Sequence, residues 1–143
     1  MRTIIAISLI AACSCLGFAV YEYVFESPAM PPPECEISHT DFDAGIVLIG
    51  TYKFQTTISN PSREPRRIIG FVDECKPTCC FSHLQDAPIL IPPAGSIVID
   101  CELLVKTSGS IDAEIKIYLE ENGIRTVTLR VTGTAVEAPR APK

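Results

Sequence analysis

Three of the chain's seven cysteines fall within six residues, Cys75-Lys76-Pro77-Thr78-Cys79-Cys80, and His83 follows closely. Thiols at that density serve a covalent staple, a soft-metal site or thiol–disulfide exchange. The metal reading takes Cys75, Cys79 and His83 as ligands, a set suited to copper(I) or zinc. Against it, no methionine lies nearby, and one histidine in a short loop is ordinarily polar surface. A redox site wants Cys-x-x-Cys at a helix start, where the dipole lowers a thiol pKa; the stretch has neither. A staple needs only a second cysteine within reach, inside the 75–80 loop or at Cys35 or Cys101. A bridge between the neighbours Cys79 and Cys80 is disfavoured by geometry. The disulfide candidates are therefore Cys35, Cys75, Cys79, Cys80 and Cys101, an odd number, so at least one thiol is free or pairs between chains. Cys101 lies on an apolar strand face, where a cysteine reads as a small buried hydrophobe. The staple is the favoured reading, and closing a loop of this size contributes on the order of 2–3 kcal/mol.

Other chemistry finds thin support. His39-Thr40-Asp41 and Ser82-His83 place suitable residue types side by side, but Ser-His-Asp triads are assembled in space, not between sequence neighbours. There is no Gly-x-Ser-x-Gly elbow and no glycine-rich phosphate loop. Asp41 and Asp43 flank Phe42 and are expected to shape a turn rather than to bind calcium. The expectation is a non-enzyme with no cofactor and no evident small-molecule substrate. A net charge of −5, with Arg63, Arg66 and Arg67 the only tight basic group, argues against nucleic acid.

The elements that must hold these residues read as strands. In residues 97–105, Ile97, Ile99, Cys101, Leu103 and Val105 alternate with Val98, Asp100, Glu102 and Leu104. Residues 111–119 repeat the pattern, with Ile111, Ala113, Ile115, Ile117 and Leu119 on one face. Asn122-Gly123 predicts a two-residue hairpin turn with positive φ at both positions, and residues 125–132 form the return strand. Upstream, Tyr52, Phe54, Thr56 and Ile58 line one face of a strand that Asn60-Pro61 ends. Residues 66–73 make another, residues 36–39 a shorter one, and residues 46–49 an edge. About seven short strands without a helical period predict an antiparallel β-sandwich. The strands predicted at its heart, 52–58 and 113–119, hold no cysteine, so an antibody-type bridge between sheets is not expected. The longest irregular connection, residues 75–90, is the expected functional surface.

Residues 3–21 carry no charge, with Arg2 before them and Glu22 and Glu26 after. That length spans about 30 Å as a helix, the thickness of a bilayer core, and the positive end should remain in the cytoplasm. An uncleaved anchor, with Tyr21 and Tyr23 at the interface, is the first reading. A signal peptide cleaved after Gly17-Phe18-Ala19 is the second, and a lipobox at Ile10-Ala11-Ala12-Cys13 the third. All three export the remainder. The expected organisation is an anchor or signal helix (1–25), a proline-rich linker (26–34), a β-sandwich (35–136) and a tail (137–143).

Phe42-Asp43-Ala44-Gly45-Ile46-Val47, then Gly50, Phe54, Asn60, Pro65 and Ile68, resemble the first half of one bacterial family. The resemblance continues through the cysteine-bearing turn at 75–80, Ile91-Pro92-Pro93-Ala94-Gly95 and Val131-Thr132-Gly133, covering about residues 35–135. The family is that catalogued as domain of unknown function 1573, immunoglobulin-like and related to ASH and PapD-like modules. Its members often carry a tight Cys-Gly-Cys-Thr turn, where this chain has Cys75 and then Cys79-Cys80; Ala44 stands where an aromatic is usual. The resemblance implies an exported, non-enzymatic module. The expectation is thus a single-pass bacterial membrane protein with an extracytoplasmic immunoglobulin-like domain, secreted or periplasmic if the leader is cleaved. It would bind an unidentified envelope protein or serve as a structural component. The alternative is an exported copper, zinc or thiol-redox protein using the 75–80 loop.

Overall fold

The computed structural model describes residues 31–139. The anchor, signal and lipobox readings, the start of the linker and residues 140–143 of the tail lie outside the described residues. Among the described residues there are nine strands: β1 (Glu36–Ile37), β2 (Asp41–Leu48), β3 (Gly50–Ser59), β4 (Arg66–Cys75), β5 (Cys79–His83), β6 (Ile89–Ile91), β7 (Ser96–Val105), β8 (Gly109–Glu120) and β9 (Ile124–Val136). Among the described residues no helix is long and apolar enough to cross a membrane.

The strands form one sheet curled into two layers, in the order β1-β3-β7-β5-β4-β8-β9-β2, with β6 beside β4. β4 joins the layers. Residues from Arg66 to Asp73 pair with β6 and β8, whereas Glu74 and Cys75 pair with β5. The core follows from period-two alternation: Ile111, Ala113, Ile115, Ile117 and Leu119 of β8 are all buried. Ile99, Cys101, Leu103 and Val105 of β7 and Val127, Leu129 and Val131 of β9 meet them. Phe42, Phe54 and Phe81 join from three strands as an aromatic cluster, with ring centroids 5.3 to 6.2 Å apart.

The antiparallel expectation fails at one edge, because β2 runs parallel to β9. β2 also begins at Asp41, well before residues 46–49, so Asp41 and Asp43 lie on a strand. Asp43 nonetheless shapes a local kink. The register shifts between Asp43 and Ile46, and the Gly45 N–H donates to Asp43 Oδ1 at 2.8 Å with φ of 65° at the glycine. The β8–β9 turn differs too: Glu120 pairs with Ile124, leaving Glu121, Asn122 and Gly123 as a three-residue connection with positive φ only at Gly123.

Candidate functional site

β4 and β5 share two rungs, Glu74 opposite Phe81 and Cys75 opposite Cys80, and the Lys76 N–H donates to the Cys79 carbonyl at 2.7 Å across the turn. Cys75 and Cys80 are disulfide-bonded at the last rung. Directly opposed residues of an antiparallel pair point to the same side; here that side is outward, with Cys75 exposed and Cys80 half-buried. Cys79 and Phe81 take the other side and are fully buried in the core. Residues 75–90 are therefore no continuous irregular connection: they contain all of β5 and the start of β6. Where β4 leaves β8, side chains replace the ladder. The Glu74 carboxylate accepts the Glu114 N–H at 3.0 Å, and Lys76 Nζ donates to the Asp112 carbonyl.

The proposed ligands Cys75, Cys79 and His83 are not brought together. Cys75 is committed to the bridge, and Cys79 and His83 stand four residues apart on an extended strand, roughly 13 Å. Among the described residues no group of three or more metal-type side chains converges. His83 instead stacks on Phe71, 4.1 Å between ring centroids, and its Nδ1 lies 2.7 Å from Asp73 Oδ1. The sequence carries a signal for this pair only once the hairpin is known, because Asp73 and His83 lie on its two arms. Cys101, beside His83 in the β5–β7 register, is a free buried thiol. Burial first, then the Asp73 and Asp100 charges, push its pKa up to about 12. Ser82 turns to the opposite side of β5 from His83, and the His39 ring Nδ1 lies 3.1 Å from the Ser38 hydroxyl.

Cys35 is also a free buried thiol. Its N–H donates to Glu121 Oε1 at 2.7 Å and its carbonyl accepts from Arg125 Nη2 at 2.8 Å. Arg125 Nη1 reaches Glu34 at 2.7 Å. Burial, then the hydrogen bond and charge of Glu121, push the Cys35 thiol up to about 12.

β2 carries exposed apolar side chains at the end of the strand order. Ile46 is 79% exposed and Leu48 45%, and Leu48 pairs with the exposed Val136 of β9. Ile49 extends this row. β2 ends the strand order, so its outer edge has no neighbour among the described strands. An apolar edge of this kind is a template for another extended chain.

No protein-family model matches this chain, and no curated protein matches it. Solved structures do. The ASH/PapD-like domain 7 of human CEP192 superposes with a TM-score of 0.62 at 10% identity, over 80% of this chain and 93% of that one. The VesB protease of Vibrio cholerae gives 0.58 at 13% identity, over 70% of this chain and 31% of that one. A Porphyromonas gingivalis W83 protein of unknown function gives 0.52 at 21% identity, over 77% and 50%. The chain thus spans about a third of the protease and half of the Porphyromonas protein. The likeness is one of fold: the described residues form an immunoglobulin-like sandwich of the ASH/PapD-like kind.

Proposed function

We propose that this chain is an exported, membrane-tethered immunoglobulin-like module of a bacterial envelope that binds a partner protein along the outer edge of β2. The observation that carries the reading is the apolar edge at Ile46 and Leu48, which has no neighbouring strand among the described residues. Edges of this type bind extended segments through main-chain hydrogen bonds, with pockets for alternate side chains. Export rests on the uncharged residues 3–21 and on an outward-facing disulfide, a bond that persists in oxidising compartments. The same reading keeps the kinship with the bacterial domain of unknown function 1573, carried by residues 42–47 and 91–95. Its test is co-isolation of the full-length chain with envelope proteins, comparing wild type with an Ile46→Lys, Leu48→Lys double variant. Selective loss of one co-isolated protein supports edge binding; an unchanged set sinks it.

A thiol-redox role has one feature in its favour, the solvent exposure of Cys75 within the bridge. Reduction of a disulfide substrate by the reduced chain, with the Cys75–Cys80 bridge re-forming in exchange and the activity abolished in Cys75→Ser, would place the protein in that class.

A further inference from the structure

Arg66 is 4% exposed, and its Nε and Nη2 have no hydrogen-bond partner among the described residues. These two atoms form one edge of the guanidinium, the fork that grips a carboxylate through two parallel bonds. Leaving such a fork empty in an interior is costly and calls for a physical account.

A carboxylate stands close by. Continuing the β4–β8 register one step past the Arg67–Glu120 pair sets Arg66 opposite Glu121, whose side chain is 6% exposed. Glu121 is engaged elsewhere, however: Oε1 accepts the Cys35 N–H, and Oε2 lies 3.3 Å from Arg125 Nη1. Arg125 in turn holds Glu34 and the Cys35 carbonyl. Glu34 and Cys35 thus form a strap across this end of the sandwich, fastened by Glu121 and Arg125, just before β1. A cavity of about 230 Å³, lined by Glu34, Glu121 and Arg125 among others, lies beside it.

We propose that the strap has two arrangements competing for one carboxylate. In the closed arrangement, the one described above, Glu121 holds Cys35 and the Arg66 fork has no partner among the described residues. In the open arrangement Glu34 and Cys35 lift away and Glu121 turns to the fork, while Arg125 and the Cys35 N–H turn to water. Each arrangement satisfies a charged group that the other leaves wanting, which is what makes an element bistable rather than merely loose. The strap is where the proline-rich linker enters the domain. Whatever acts on the linker therefore biases the strap, and the strap in turn uncovers this end of the sandwich.

Cys35 reports the opening, because its thiol is buried only while the strap is closed. The experiment is timed iodoacetamide labelling of the full-length chain without reductant, with the modified cysteine located by peptide mass. Arg66→Met removes the donor fork of the open arrangement and should slow Cys35 labelling by about five-fold or more. Arg125→Gln loosens the closed arrangement and should speed labelling by a similar factor, and adding Arg66→Met should cancel most of that gain. Cys101, buried elsewhere in the core, reports global opening and should label at an unchanged rate. If Arg66→Met fails to fold, Arg66→Lys keeps the charge without the fork and carries the same expectation. An unchanged Cys35 rate, or a rise in step with Cys101, overturns the switch and leaves Arg66 a structural cation satisfied by ordered water.

Discussion

Cys75 and Cys80 face each other across the last rung of the β4–β5 hairpin and are bonded there, while Cys79, next to Cys80 in sequence, turns to the opposite side. Strand alternation gives neighbouring thiols opposite fates. One completes a staple on the surface, and the other fills the core beside Phe81. The staple also fixes where β4 passes from one layer to the other, since only Glu74 and Cys75 of that strand pair with β5.

The bridge spans a sequence separation of only five residues, so its stabilisation is modest. The Cys75→Ser, Cys80→Ser double variant should lose about 2 kcal/mol, read from the denaturant midpoint. Reductant should lower the wild-type midpoint by the same amount and leave the variant unmoved. A bridge with no effect would mean that the β5–β7 ladder alone holds the hairpin.

Phe81 is wholly buried and meets Phe42 and Phe54 edge-on, both at 6.2 Å between centroids. Phe81→Ala should destabilise the domain by about 3–5 kcal/mol in chemical denaturation. A loss under about 1 kcal/mol would place β5 at the surface.

Both Cys35 and Cys101 have pKa values pushed up to about 12, burial being the first cause, from an ordinary value of 9.0. The unfolded chain therefore releases these protons at lower pH than the folded one. Their contribution to stability is whole below about pH 9 and is lost as pH rises from there towards 12. Denaturant midpoints measured across that window should fall more steeply for wild type than for Cys101→Ala, whatever the variant's starting stability. Equal slopes would contradict burial of the thiol.

A Cβ on Gly133 would lie 2.8 Å from the Gly45 carbonyl oxygen and 3.1 Å from Ala44 Cβ. Gly133→Ala should therefore lift β2 from β9 at a cost of roughly 1–3 kcal/mol. Amide hydrogen exchange should quicken along β2 and stay slow in β8. Uniform quickening would show that β2 is no separate unit.

The strands longest in alternation were legible from the chain alone. β7 and β8 show five inward apolar positions each, a pattern that no competing period explains. β5 was not legible, although Cys79 and Phe81 do alternate with Cys80 and Ser82. Five residues between Pro77 and Pro88, without a β-branched side chain, make too short a signal. The parallel β2–β9 pairing has no local signature at all, because the partners of Asp41 and Phe42 are Arg130 and Val131. The Asn122-Gly123 turn failed for a tertiary reason: Glu121 is drawn inward to hold Cys35 and Arg125, which adds a residue to the connection. The cysteine cluster was visible from the start, but its meaning depended on which side of a strand each thiol occupies.

The most direct test of edge binding is a photo-reactive amino acid placed at Ile46 of the full-length chain in the cells that produce it, with Lys53 on another strand as the control position. Edge binding should give a discrete adduct with one other polypeptide from Ile46, absent from Lys53 and abolished by Leu48→Lys. No adduct from Ile46, or the same adducts from both positions, would contradict it.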